Sequence, residues 1–336
     1  MAGKVLDLDP LFYPTSVAVL GASQSLNKVG AIILLSIISG RFKGKVYPIN
    51  QREKEILGVA AYSNMKKVPC DIDLAIICVP AASVPQAVEE CAEVGVKFGL
   101  INSSGFGEVS DEGKAVETDL VRIANKGGMR LIGPNSFGMM CSDIGLYVLM
   151  NAALPMAGNV SVVSQSGTLG SVTMLLGSEQ SIGFNKFISS GNEADLHSED
   201  FIEYLAHDKK TSVILSFVEG VNDGERFGKV TKEAARNKPL VMLKGGVTEA
   251  GAKAVSSHTG SMAGSPIVYD ALFRQAGIIQ AKTDRELVDL AKAFYLLPTS
   301  RGRKVGIVTG WGGTEVLASD AWPGKDWRSQ SFPGKS

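Results

Sequence analysis

The sequence predicts an α/β protein made of two consecutive doubly wound units and the opening of a third. Three observations predict it. Short apolar, β-branched runs lack in/out alternation, as strands buried on both faces of a parallel sheet do. Amphipathic helical segments lie between them, the clearest at residues 84–94, Val-Pro-Gln-Ala-Val-Glu-Glu-Cys-Ala-Glu-Val. The chain has 336 residues, too many for one core and enough for two domains with a remainder.

In chain order, the first unit covers residues 1–150 and carries strands at 16–20, 45–49, 74–79, 98–102 and 130–132. The second covers 158–298 and has flavodoxin-like character. It opens with a strand at 159–163 and a turn, Ser164-Gln165-Ser166-Gly167-Thr168, that starts a helix running through Leu176. A strand at 184–188, a turn at 189–192, a helix through Ala206 and strands at 211–217 and 239–244 complete it. A third unit begins with a strand at 303–309 that runs into Gly310-Trp311-Gly312-Gly313 and a short helix. From Trp322 apolar periodicity is lost. One strand and one helix cannot build a core, so 303–336 reads as an incomplete third α/β domain with a divergent tail.

Hydrophobic residues make up 45% of the chain and charged residues 20%, an ordinary globular profile. Lys+Arg and Asp+Glu are equal at 34 each, which gives no electrostatic reason to expect nucleic acid or an anionic membrane as partner. The longest apolar runs are too short to span a bilayer, and the first residues read as lacking a secretory signal. Cys70, Cys78, Cys91 and Cys141 have neither Cys-x-x-Cys spacing nor a histidine beside them, so no metal site is expected and a reducing, cytoplasmic setting fits.

The strand ends of the first unit carry loops suited to a phosphate-bearing ligand. The first strand ends in Gly21 and Ser23, then Lys28 and Gly30 open a helix whose N-terminal amides and dipole favour an anion. Ser23 replaces the second glycine of the dinucleotide fingerprint, and the second strand ends at Asn50 rather than at a ribose-binding acid, which disfavours a nicotinamide dehydrogenase. Val79 and Pro80, then Ser104, Gly105 and Phe106, then Asn135 in Gly-Pro-Asn-Ser-Phe-Gly, lie on the loops that follow later strands. Loops at the carboxyl ends of parallel strands line the ligand crevice of such sheets.

The chain has three histidines, and His258 alone is framed by small and hydroxylic residues, Ser256-Ser257-His258-Thr259-Gly260-Ser261. Such a setting suits an exposed loop holding an imidazole nucleophile that different reactants must reach. Together with Ser164-Gln-Ser-Gly-Thr168, Phe217-Val-Glu-Gly220 and Lys244-Gly-Gly246, this segment resembles the α subunit of ADP-forming acyl-CoA synthetases, the acetate–CoA ligase group of the succinyl-CoA synthetase superfamily. The resemblance covers residues 8–321.

It implies a Rossmann-like CoA-binding domain followed by a flavodoxin-like ligase domain. The CoA site would comprise Gly21, Ser23, Lys28, Gly30, Asn50, Val79, Pro80, Ser104, Gly105, Phe106 and Asn135. His258 would carry the phosphoryl group, oriented by Glu219. Ser164, Gln165, Ser166, Gly167 and Thr168, with Gly191 and Asn192 on a neighbouring helix, would hold phosphate. Gly251, Gly260 and Gly264 would make the phosphohistidine loop mobile. The implied reaction is reversible: acyl-CoA, phosphate and ADP give a carboxylic acid, CoA and ATP, with ATP or ADP and Mg bound on an ATP-grasp β subunit. Many relatives carry Asn-Pro-Lys where this chain has Asn50-Gln51-Arg52, so the CoA phosphate contact there shifts to Arg52 or weakens. The alternative is a non-catalytic CoA-binding or sensing module related to protein acetyltransferases.

Overall fold

Two sheets, one parallel and one mostly parallel, with helices on their faces organise the larger unit, as the non-alternating apolar runs lead one to expect. The computed structural model describes residues 6–150, 154–259, 265–298 and 306–321. The chain divides into two compact units, one through Leu297 and one from Pro298.

The larger unit opens with α1 (Asp9–Phe12), β1 (Ser16–Leu20), α2 (Val29–Ser39), β2 (Lys45–Ile49) and a small ribbon of β3 (Glu55–Ile56) and β4 (Val59–Ala60). It continues through β5 (Leu74–Ile77), α3 (Val84–Glu93), β6 (Phe98–Ile101), α4 (Asp111–Lys126) and β7 (Arg130–Ile132). The first sheet has the order β2-β1-β5-β6-β7, and every pairing is parallel. Every residue of β1, β5 and β6 is buried. The strand order reverses direction between β1 and β5, and the loops after these two strands therefore splay apart into a crevice.

β8 (Gly138–Cys141) and β9 (Leu146–Leu149) follow, then β10 (Ala157–Ser164), α5 (Gly167–Glu179), β11 (Phe184–Ser189), α6 (Ser198–His207) and β12 (Val213–Val218). Next come α7 (Gly224–Asn237), β13 (Leu240–Lys244), α8 (Glu249–Thr259), α9 (Pro266–Ala276), β14 (Ile279–Ala281) and α10 (Asp284–Leu296). The second sheet has the order β14-β13-β12-β10-β11-β8-β9. Its five parallel strands repeat the first sheet's topology, with the reversal between β10 and β12.

Three expectations change. Residues 138–149, assigned to the first unit, form a β8–β9 hairpin that extends the second sheet antiparallel to β11, with Met139 opposite Ile188. Its outer strand packs on α2, and one apolar core runs from Val17 and Ile33 through Leu146 and Val148 to Ile188 and Phe201. Burying the hairpin's apolar residues against both sheets outweighs the sequence boundary near 150. The turn at 189–192 does not open a helix directly, because residues 193–197 intervene before α6. In the smaller unit, residues 306–309 form no strand, although α11 (Gly312–Asp320) does form. Val308, Trp311 and Leu317 are exposed there. Residues 303–305 and 322–336 lie outside the described residues. Among the described residues no helix is long and apolar enough to cross a membrane.

Candidate active site

A cavity of about 670 Å³ opens at the reversal point of the first sheet. Of the expected residues, Gly21, Ser23, Lys28, Asn50, Val79, Pro80, Ser104 and Asn135 line it. Lys28 is exposed and sits at the N-cap of α2, where the first amides of the helix are unsatisfied by the helix itself. Asn50 holds the rim. Its Nδ2 donates to the Ala22 carbonyl at 2.8 Å while its Oδ1 accepts from the amides of Arg52 and Glu53 at 2.8 and 3.1 Å. Val29, Ala81 and Met150 add apolar wall. A helix N-terminus and a lysine at one end with apolar wall beside them fit a phosphorylated nucleotide that carries an apolar arm.

Three expected residues stand apart from that cavity. Gly30 is buried beneath it, and a Cβ there would come 2.2 Å from the Gly21 carbonyl oxygen, so its role is to let α2 pack against the turn. Phe106 is buried in the core of the first sheet, and the Gly105 amide donates to Glu108 at 2.5 Å. Arg52 is exposed and does not line the cavity, which leaves the shifted phosphate contact without support there.

The second cluster lies at the reversal point of the second sheet, between the ends of β10 and β12. Gln165 ties the two strand ends together. Its amide donates to the Phe217 carbonyl at 3.1 Å, and its side-chain oxygen accepts from the Glu219 and Gly220 amides at 2.5 and 3.1 Å. Its Nε2 closes the clamp on the Gly220 carbonyl at 2.8 Å. Ser166 caps α5 by accepting from the Leu169 amide at 3.3 Å, and Ser164, fully buried, donates to the Ser166 carbonyl at 2.6 Å. These hydrogen bonds shape the turn. What remains for an anion is the backbone at Gly167 and Thr168, on the first turn of α5.

Glu219 is buried, 7% exposed, at the end of β12. Lys244, at the end of β13, is 5% exposed and donates to the carbonyls of Glu219, at 2.8 Å, and Gly245. Its ammonium also sits 4.4 Å from the centre of the Tyr269 ring. Burial pulls the Lys244 ammonium down to about 8, against the opposing pull of the Glu219 carboxylate. In the sequence Lys244 stands out only as part of Lys244-Gly-Gly246, and it is burial at the strand end that marks it.

The Gly191-Asn192 turn belongs to a different contact. Gly191 has φ of +62°, and a Cβ there would lie 2.3 Å from the Pro134 carbonyl oxygen. The Asn192 side chain donates to Glu108 and Glu117 of the first sheet's face, at 2.5 and 2.7 Å, and the turn itself opens no helix. The backbone of His258 lies in the last turn of α8, where a loop was expected, because Ala252, Ala254 and Val255 sustain a helix to that point. Its side chain and residues 260–264 lie outside the described residues. Gly251 is in the first turn of α8, its amide bonded to the Thr248 hydroxyl at 3.0 Å.

Comparison with known proteins bears directly on this arrangement. Residues 15–142 match the CoA binding domain family, and residues 157–294 match the succinyl-CoA ligase like flavodoxin domain. The chain is 43% identical over 320 residues to the acetate–CoA ligase [ADP-forming] I subunit alpha of Pyrococcus furiosus, covering 94% of this chain and 69% of that protein. It belongs to the family of ADP-forming acetate–CoA ligase α subunits. A member from Methanocaldococcus jannaschii, acetate–CoA ligase [ADP-forming], is 41% identical over 321 residues, of which the chain spans 96% of its own length and 45% of the relative's. The acetyl-coenzyme A synthetase 1 of Ca. Korarchaeum cryptofilum, solved with phosphate and ADP, superposes with a TM-score of 0.90 at 39% identity, covering 94% of this chain and 68% of that one. The acetate–CoA ligase α family thus combines a CoA-binding and a ligase domain in the order seen here.

Proposed function

We propose that this chain supplies the CoA site and the phosphohistidine of an ADP-forming acyl-CoA synthetase, and that it works with an ATP-grasp β subunit that binds ADP or ATP with Mg. The observation that carries the proposal is the junction at the second sheet's reversal point. There Gln165 fastens the start of α5 to Glu219, so an anion-binding backbone and a buried carboxylate stand at the same strand ends.

In this reading CoA occupies the first-sheet cavity with its phosphates toward Lys28 and the start of α2. Phosphate held at Gly167 and Thr168 attacks the thioester carbonyl of acyl-CoA. The C–S bond breaks, CoA leaves as its thiol, and acyl phosphate remains. An imidazole nitrogen of His258 then takes the phosphoryl group and the carboxylate departs. Glu219 accepts a proton-bearing ring nitrogen of His258, fixes the tautomer, and leaves the other nitrogen nucleophilic. The backbone donors at α5 stabilise the charge that develops on the phosphoryl oxygens. Phosphohistidine finally passes its phosphoryl group to ADP on the partner. Four free cysteines, two of them buried, suit work in the reducing cytoplasm.

The test is intact-mass measurement after incubation with acetyl-CoA and phosphate. An acid-labile adduct of ~80 Da is expected in the wild type and absent in His258→Asn. A His258→Asn protein that still labels overturns the assignment. CoA binding without any adduct, even with a β subunit present, favours a sensing module instead.

A further inference from the structure

We infer that Asn192 is a positioning residue for the CoA cavity: from the second sheet, its side-chain amide holds the first sheet's rim loop in the shape that receives the coenzyme. The inference rests on the reading of that cavity as the CoA site.

A primary amide has two N–H donors, and the Asn192 Nδ2 directs them to two different carboxylates, Glu108 Oε2 at 2.5 Å and Glu117 Oε1 at 2.7 Å. Each carboxylate in turn collects backbone amides of the loop that follows the cavity-lining Ser104. Glu108 accepts from Gly105 and Phe106 at 2.5 and 3.1 Å, and Glu117 accepts from Gly107 at 3.1 Å. Three consecutive amides of this loop are thereby tied, through the two carboxylates, to one side chain. The Asn192 oxygen accepts from Asn135 Nδ2 at 3.3 Å, and Asn135 and Ser104, at the two ends of this web, both line the cavity. The backbone is locked too, with the Asn192 amide donating to the Pro134 carbonyl at 2.9 Å.

The two carboxylates stand together only because a donor lies between them. Burial pushes the Glu117 carboxyl up, against the bonds from Asn192 and Gly107, while the rim amides and Asn192 outweigh burial at Glu108 and hold its carboxyl down. Removing the donor leaves like charges facing one another and frees the rim. The same loop carries Ser190, whose amide donates to the Ser164 carbonyl at 3.0 Å in the turn before α5. One loop of the second sheet therefore shapes both the phosphate turn and the mouth of the CoA cavity, which keeps the thioester and the attacking phosphate in register.

The test is calorimetric titration of CoA into the full chain, beside thermal unfolding without ligand. Asn192→Ala is expected to weaken CoA binding about tenfold. Asn192→Asp places a third carboxylate in the web and is expected to weaken it further, and adding Glu117→Gln restores a donor and recovers affinity to at least the Asn192→Ala level. Thr283→Ala, which removes the cap of α10 outside this web, lowers the Tm and leaves CoA affinity as in the wild type. Asn192→Ala binding CoA within about twofold of wild type overturns the inference. So does a loss of affinity in Thr283→Ala equal to that in Asn192→Ala, since destabilisation alone would then explain it. Should Asn192→Ala fail to fold, Glu108→Gln cuts the same web and must show the loss. A wild-type chain that does not bind CoA overturns the reading of the cavity itself, and this inference with it.

Discussion

Lys244 is a cation held almost entirely by neutral groups, two carbonyls and an aromatic face, and that makes its protonation legible in stability. In the unfolded chain a lysine keeps its proton to about pH 10.4, whereas burial releases it near 8 in the fold. Above pH 8 the unfolded state therefore binds more protons than the folded state, and stability rises with pH through this window. Lys244→Met removes the titration while keeping an apolar stem. The wild type should gain Tm relative to Lys244→Met as pH rises from about 8 to about 10, and a gap that stays constant across that range would disprove the assignment. Two placements were legible in the sequence: Lys28 before a helix start, from the glycine turn that precedes it, and Glu219 at a strand end, where only the family resemblance gave it a role. Their orientation was not. Gln165 and Ser164 read as phosphate ligands because of the turn they occupy, yet their hydrogen bonds close on backbone 52–55 residues away or inside the turn. No local pattern encodes those distances.

At the scale of elements, the two sites follow from one topology used twice. Both sheets reverse their strand order beside their first parallel strand, and in each a helix, α2 or α5, starts in the loop after that strand. The strands and turns that build this were legible, since buried parallel strands and glycine turns leave strong local signals. The β8–β9 hairpin was not, because Gly138-Met139-Met140-Cys141 has no β-branched residue and its partner β11 begins more than forty positions later. The proposed function places phosphate at the start of α5, and Ser166 caps that helix. Ser166→Ala should cost about 1 kcal/mol of stability. It should also slow labelling of His258, because fraying of the first turn misaims the Gly167 and Thr168 amides. Urea unfolding and the labelling time course read the two effects separately, and a stable, fully labelled variant would remove α5 from the phosphate site.

At the largest scale, what matters is that the two sheets of the larger unit behave as one body. Shared apolar core supplies most of this cohesion, and a buried polar knot fixes the fit. Lys186 on β11 has no exposed surface, and its ammonium donates to Asp208 at 2.7 Å, to Asn185 at 2.7 Å and to Tyr13 at 2.9 Å. Tyr13, just after α1, donates onward to Asp143 in the β8–β9 hairpin at 3.0 Å. Four separate parts of the chain meet there. Burial raises the Asp208 carboxyl, but bonds from Lys186 and Thr211 outweigh it and hold the group below its ordinary range. A carboxylate depressed in this way contributes stability above its unfolded pKa, and that contribution is lost as pH falls through the lower folded value. Asp208→Asn leaves the Lys186 charge buried without its counter-ion, which should cost about 3 kcal/mol near pH 7. The difference from wild type should hold from pH 7 to about 5, begin to narrow near pH 4, where the unfolded carboxylate protonates, and close only as pH falls below the depressed folded pKa of Asp208. Because the knot joins both sheets, the loss should appear as one cooperative transition shifted as a whole. Two resolved transitions in Asp208→Asn would mean that the sheets fold independently and that the knot only decorates their contact.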